Sequence, residues 1–342
     1  MTTYTIQGAK SESQIVFGAR LRELSAYIAG RRCVIVTDEQ VAPFYRDQFP
    51  GEPTVAVIGT GEANKTLTTL ERLYQAFLDA DLDRSSCVVA IGGGIVSDIA
   101  GFAASTYLRG LQFGFVPTTL LAQVDASVGG KNGLNFHGYK NLIGTFTQPE
   151  FVLIDVSLLS TLPRRTLGCG FAEAIKHGAI ADTALFEFME TEAQRIRNLE
   201  TEAVERIVRD SIMIKSTIVN ADEREQGERR KLNFGHTFGH AIEKTFGLPH
   251  GESVAIGMIV AARLSQRYGY LDEQQVTRLE RLLQAYQLPT TIKADKNAIR
   301  EALRKDKKRY GDHIKFVLLE RIGTAMIQEV SLQELEQVVE HL

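Results

Sequence analysis

The stretch Cys87 to Gly110, CVVAIGGGIVSDIAGFAASTYLRG, decides the fold class. Its first five residues, CVVAI, form a short apolar run suited to a buried strand. Gly92, Gly93 and Gly94 then supply a turn, and Asp98 to Leu108 reads as a helix whose leading acidic residue suits an N-terminus. The same alternation surrounds it. Cys33 to Thr37 (CVIVT), Thr54 to Gly59 (TVAVIG), Phe113 to Val116 and Phe151 to Ile154 are further strand-like runs, and Thr66 to Ala80 carries apolar residues at helical spacing. Short apolar runs alternating with helices indicate parallel βαβ units. After Leu162-Pro163 the period changes. Leu167 to Ala179, Leu185 to Arg197, Ala203 to Val219, Phe238 to Phe246 and Ser253 to Tyr268 read as amphipathic helices, followed by a hairpin (Ile314 to Leu319, Thr324 to Gln328) and a closing helix from Leu332. The expectation is an α/β Rossmann-like NAD-binding domain over residues 1–160 and a mainly α-helical metal- and substrate-binding domain over 161–342.

Bulk properties narrow the function. A hydrophobic fraction of 44% with 24% charged residues is that of an ordinary globular chain, and the net charge of -3 supplies no broad basic field for nucleic acid. Three cysteines without CxxC spacing indicate neither a disulfide framework nor a thiolate zinc site. Cys33 and Cys87 read as buried strand residues. There is no apolar signal core at the N-terminus and no run near the ~20 apolar residues of a membrane span, so the expected location is the cytoplasm.

Three segments carry candidate chemistry. Consecutive glycines let a backbone approach a diphosphate, and the helix behind them offers unpaired N–H groups, although such a turn can also be a tight packing corner. Asp38 at one strand end and the loop Gly61 to Lys65 at another sit where open α/β sheets bind ligands. The glycine-rich loop Asp125 to Asn141 contains Lys131, Asn135, Lys140 and Asn141; its ammonium groups suit a phosphate or carboxylate, or simply solvent. Finally, three of seven histidines, His236, His240 and His250, fall within fifteen residues. His236 and His240 are one turn apart on any helix spanning Leu232 to Phe246, and Thr237 stands where an HExxH protease needs its glutamate. Nitrogen ligands suit zinc, with a carboxylate as a third ligand; Glu173 is a candidate.

Taken together, GGGIVSDIAGFAASTYLRG, VPTTLLAQVDASVGGKNGLN, KNLIGTF, CGFAEAIKHG, RRKLNFGHTFGHAIE and HGESVAIGM resemble the 3-dehydroquinate synthase family, in order and from about Asp38 to Lys308. The resemblance implies conversion of 3-deoxy-D-arabino-heptulosonate 7-phosphate to 3-dehydroquinate and phosphate, in the shikimate pathway to chorismate and the aromatic amino acids. It implies NAD in a cleft between the domains, Zn2+ or Co2+ beside it, and a homodimer. Implied metal ligands are Glu173, His236 and His250, with His240 turned to substrate. Implied substrate contacts are Asp125, Lys131, Lys140, Asn141, Lys176, Lys215, Arg229, Asn233, His240 and one of Lys307 and Lys308, with Arg109 reaching the phosphate from a neighbouring subunit. Of these, Lys131, Lys176, Lys215, Arg229, Asn233 and His240 are the implied catalytic set. Implied cofactor positions are Asp38, Glu62, Lys65, Gly93, Gly94, Asp98, Thr118, Thr119, Asp125, Lys131 and Lys140. Ser97 and Asn132 depart from the glycine and threonine common in the family. The rival readings are a related sugar-phosphate cyclase, a metal-dependent polyol dehydrogenase that would release reduced cofactor, and a non-catalytic protein on the same scaffold.

Overall fold

The computed structural model describes residues 2–8, 12–293, 295–304, 309–310 and 313–339. The chain divides into two compact units, Met1–Pro163 and Arg164–Leu342. The division falls a few residues beyond the sequence-derived position at 160/161. The helical turn Val156–Thr161 belongs to the first unit, where the Tyr45 hydroxyl donates to Leu158 O at 2.7 Å and lies 2.8 Å from Thr161 Oγ1.

The first unit is built on strands β1 (Thr2–Gln7), β2 (Glu12–Phe17), β3 (Cys33–Asp38), β4 (Thr54–Ile58), β5 (Cys87–Gly92), β6 (Gln112–Pro117) and β9 (Phe151–Ile154), ordered β1-β2-β9-β6-β5-β3-β4. Every pairing is parallel except β1 with β2. Helices α1 (Leu24–Ile28), α2 (Ala42–Tyr45), α3 (Leu67–Asp79) and α4 (Gly94–Thr106) connect them. Val34, Ile35, Val88, Val89, Ile91, Val116 and Leu153 are fully buried, as expected for sheet strands covered on both faces. From β3 the chain moves outward to β4, then returns to place β5 on the other side of β3. The resulting switch point puts the ends of β3 and β5, hence Asp38 and the glycine turn, side by side, where such sheets bind ligands.

Three local expectations are corrected, and one hairpin was not foreseen. The β1/β2 hairpin was not legible: β1 is mostly exposed, with only Ile6 among its residues buried. Asp98 lies inside α4, which starts four residues earlier at Gly94. Much of the segment read as a polar loop is a hairpin, β7 (Lys131–Phe136) against β8 (Tyr139–Phe146), preceded by a π-helical turn over Ala122–Ala126. Of the two strand cysteines, Cys87 is buried and Cys33 only partly so.

The second unit is mainly helical: α5 (Arg164–Ala181), α6 (Thr183–Thr191), α7 (Ala193–Arg197), α8 (Thr201–Ala221), α9 (His236–Phe246), α10 (His250–Arg267), α11 (Glu273–Ala285), α12 (Lys296–Arg304) and α13 (Leu332–Val338). Strands β10 (Arg309–Tyr310), β11 (His313–Arg321) and β12 (Thr324–Ser331) form an antiparallel sheet that includes the expected hairpin. Helix α5 is buried on every side from Phe171 to Ile180, so it is the central helix of this unit. Helices α9 and α10 approach to backbone contact. A Cβ at Gly257 would stand 2.0 Å from Gly235 O, and one at Gly251 would stand 2.3 Å from the Cα of Cys169 on α5. Only glycine permits crossings this close.

Candidate active site

In the first unit, β5 ends at Gly92 and α4 starts at Gly94, with Gly93 as an N-cap to which no side chain supplies a capping hydrogen bond. First-turn N–H groups left without a side-chain cap are the donors a phosphate uses. Lys65 is only 4% exposed, and its ammonium contacts Asp98 Oδ2 and lies 2.5 Å from Asn141 Oδ1. Asn135 Nδ2 donates to Glu62 Oε1 at 2.7 Å, and Asn141 N donates to Asn135 Oδ1 at 2.9 Å. The loop after β4, helix α4 and the β7/β8 hairpin are thereby tied into one polar network that gathers Glu62, Lys65, Asp98 and Asn141. Asp38 stands at the end of β3, where its Oδ1 accepts from Gln40 N (2.9 Å) and Val41 N (2.8 Å). That oxygen also fixes the turn after the strand. Thr118 is buried and Thr119 Oγ1 accepts from Ala122 N at 3.2 Å, both just beyond β6. Asp125 is part of the π-helical turn and half-buried, while Lys131, Lys140 and Arg109 are exposed.

In the second unit, three helices each contribute one donor to a single cluster. Glu173 is on α5 and fully buried, His236 is the first residue of α9, and His250 is the first residue of α10. Glu173 Oε1 lies 3.6 Å from His236 Nε2 and 3.5 Å from His250 Nε2. Donors bonded tetrahedrally to one zinc at about 2.0–2.1 Å are about 3.4 Å apart, so two imidazole nitrogens and a carboxylate oxygen fit a divalent ion. The chain is not one helix from Leu232 to Phe246: a tight helical turn covers Glu228–Asn233, Gly235 takes φ +79°, and α9, which includes the expected helix Phe238 to Phe246, begins at His236. The break lets His236 Nδ1 reach the carbonyl of Phe234 at 3.1 Å. Because a carbonyl only accepts, Nδ1 carries the proton and Nε2 presents its lone pair to the cluster.

His240 is exposed, with its ring centroid 5.2 Å from that of His236. It is not one of the trio, and groups with Glu243 and the shared His250. Burial, helped by Lys176 and the neighbouring histidines, holds the His236 imidazole well below its usual range despite Glu173. Burial would lower His250 too, but the Glu173 and Glu243 carboxylates outweigh it and raise the group to about 9. Glu243 Oε2 lies 3.2 Å from His250 Nδ1. Glu243 was missed in the sequence, although His236, His240 and Glu243 recur at i, i+4 and i+7 of one helix face.

Charged groups are concentrated in the same unit. Lys176 (1% exposed) contacts Glu173 Oε2, and Lys215 and Arg229 are also buried. Arg229 is held by Glu223 O through its guanidinium and by Asp222 Oδ2 through its N–H at 3.1 Å. Asn233 Nδ2 donates to Glu225 Oε1 at 2.5 Å. Glu225 is a second residue that the sequence reading did not single out. Buried cations are costly unless they serve as partners for anions, so this density of Lys and Arg suits a phosphorylated, carboxylate-bearing ligand. Lys307 and Lys308 lie outside the described residues.

Comparison with known proteins follows the same division. The family profile described as 3-dehydroquinate synthase N-terminal matches residues 55–169, and the one described as 3-dehydroquinate synthase C-terminal matches residues 170–309. A 3-dehydroquinate synthase from Halorhodospira halophila is 45% identical over 311 residues, covering 89% of this chain and 88% of the relative. Among solved structures, 2-deoxy-scyllo-inosose synthase complexed with carbaglucose-6-phosphate, NAD+ and Co2+ superposes with a TM-score of 0.90 at 27% identity, covering 99% of this chain and 100% of that one. The 2-epi-5-epi-valiolone synthase of Streptomyces hygroscopicus, with NAD+ and Zn2+ bound, gives 0.88 at 28% identity over 96% and 95%.

Proposed function

Because the chain belongs to the 3-dehydroquinate synthase family, we propose that Glu173, His236 and His250 hold its catalytic divalent metal and that the glycine turn and polar network of the first unit hold NAD. The chain converts 3-deoxy-D-arabino-heptulosonate 7-phosphate to 3-dehydroquinate and phosphate, as a carbon–oxygen lyase of the shikimate pathway with NAD and a divalent metal as cofactors. The observation that carries the site assignment is the convergence of Glu173 Oε1 with both Nε2 atoms at 3.5–3.6 Å.

When bound, NAD supplies a hydride acceptor that is regenerated within the cycle, and the metal, as Zn2+ or Co2+, supplies a Lewis acid for substrate hydroxyls. The roles of the residues follow from their chemistry. Gly93 and Gly94 offer first-turn N–H groups to the diphosphate, while Thr118, Thr119, Asp98 and Glu62 supply polar contacts. Asp38 accepts from ribose hydroxyls. Lys65 neutralises Asp98 and fixes the hairpin carrying Lys131, Lys140 and Asn141, which with Asp125 complete the contacts to cofactor and substrate. Lys176, Lys215, Arg229 and Asn233 bind the substrate's phosphate and carboxylate; the burial of the three cations strengthens each charge-assisted hydrogen bond by excluding water. His240 hydrogen-bonds the substrate or relays a proton, consistent with its exposure outside the trio. The family's phosphate arginine reaches across a homodimer, and the exposed position of Arg109 suits that role. One of Lys307 and Lys308 completes the substrate contacts. No described helix is long and apolar enough to cross a membrane, and a cytoplasmic location fits the pathway.

Incubation with the heptulosonate phosphate, trace NAD and zinc, followed by assay of phosphate and dehydroquinate, tests the reading. Equal yields of the two are expected. Phosphate without dehydroquinate would point to another cyclase, and stoichiometric NADH would point to a polyol dehydrogenase.

A further inference from the structure

We propose that Glu243 is the positioning residue of the metal centre: its carboxylate fixes the tautomer and ring plane of His250. The proposal rests on the assignment of His250 as a metal ligand. His250 presents opposite edges of one ring to two carboxylates, Nδ1 to Glu243 Oε2 at 3.2 Å and Nε2 to Glu173 Oε1 at 3.5 Å. An ionised carboxylate only accepts, so the hydrogen bond to Glu243 keeps a proton on Nδ1 and makes Nε2, on the ring edge facing Glu173, the nitrogen that gives up its proton to a bound metal.

His236 is set in the same way by the carbonyl of Phe234. The two metal histidines therefore have outer partners of different kinds, one a backbone group and one a side chain, and only the second can be altered by substitution. Glu243 is also well placed mechanically. It is on α9, seven residues after His236, and it reaches the first residue of α10, so one side chain ties together the two helices that carry the imidazoles. Its side chain is 14% exposed, which limits competition from water for the His250 N–H.

The test compares Glu243→Ala, Glu243→Gln and His250→Ala by chelator competition with Zn2+ alone and by the visible spectrum of the Co2+-loaded protein. Glu243→Ala is expected to weaken metal affinity about 10–100-fold and to change the cobalt bands. Glu243→Gln keeps an acceptor oxygen and should recover part of both, which a merely structural contribution to α9 would not do. Loss of metal in His250→Ala with parental affinity and spectrum in Glu243→Ala overturns the role of Glu243 alone. Parental affinity in both variants overturns the ligand set and the positioning role with it. Equal losses in Glu243→Ala and Glu243→Gln, with an unchanged cobalt spectrum in both, also overturn the proposal.

Discussion

Replacing Gly257 by alanine should damage the proposed metal site without touching any of its three proposed ligands. The new Cβ would stand 2.0 Å from Gly235 O and 2.9 Å from both Gly235 C and Gly239 N, all backbone atoms. Cβ contacts below 3.0 Å are essentially never observed, and no side-chain rotation relieves these, so α9 and α10 must separate by about 1 Å. Overpacking of this kind costs about 1–3 kcal/mol, and each kcal/mol lowers Tm by roughly 2–4 °C for a unit of this size. The displaced turn begins with His236, whose Nε2 must remain near 3.6 Å from Glu173 Oε1 for one ion to reach both. Zinc affinity should therefore fall by about tenfold or more, the scale associated with losing ligand orientation. Gly168→Ala is the control. Its Cβ would meet only Leu288 Cδ2, at an ordinary 3.6 Å, and alanine within α5 should be neutral or stabilising by up to about 1 kcal/mol. Thermal melts with and without zinc, combined with chelator competition, read both effects. A Gly257→Ala protein with parental Tm and parental zinc affinity would refute the argument that backbone contact between α9 and α10 sets the donor geometry.

Other outcomes are expected elsewhere. Lys65→Met removes the buried ammonium from Asp98 and Asn141; urea denaturation should show a loss of about 1–3 kcal/mol, and NAD affinity should fall with it. A Cβ at Gly101 would lie 2.2 Å from Asn132 Oδ1, a side-chain atom, so the cost of Gly101→Ala should be largely coupled to Asn132; a double-mutant cycle with Asn132→Ala should give a non-additivity above about 0.5 kcal/mol. The hydroxyls of Ser85 and Ser86, with the Ser85 N–H, pull Asp83 down to about 2. A folded-state value below the unfolded one contributes stability above about pH 4 that disappears as pH falls toward 2. The Tm difference between the parent and Asp83→Asn should therefore be constant near neutrality and shrink below pH 4.

The legible parts of the sequence were those where one physical signal acted alone. Strands β3, β5 and β9 are covered on both faces, so CVIVT, CVVAI and FVLI read as apolar runs. Helix α5 was legible as a helix but not as the centre of its unit. A Glu in an amphipathic pattern is ordinarily exposed, yet Glu173 is fully buried because Lys176 and the two imidazoles surround its carboxylate. The β7/β8 hairpin was hidden by its own glycines. Gly133 and Gly144 oppose each other across the strands, where side chains would meet backbone at 2.7 and 2.4 Å, and glycine in sequence reads as loop. Spacing alone paired His236 with His240. The family resemblance substituted His250, whose Nε2 stands beside Glu173 together with that of His236. Glu243 escaped notice because its partner is on another helix, a relation no local pattern records.

The close crossings at Gly251 and Gly257 bear on how the ion comes and goes. Donors drawn from residues 173, 236 and 250 would ordinarily have to be gathered by the ion itself, against the entropy of closing long loops. Here backbone contact among α5, α9 and α10 gathers them, so binding of a metal at the proposed site should be separable from folding. Zinc and cobalt should then exchange through a folded, metal-free protein, and the identity of the resident ion in a cell would follow supply rather than the history of the chain's synthesis.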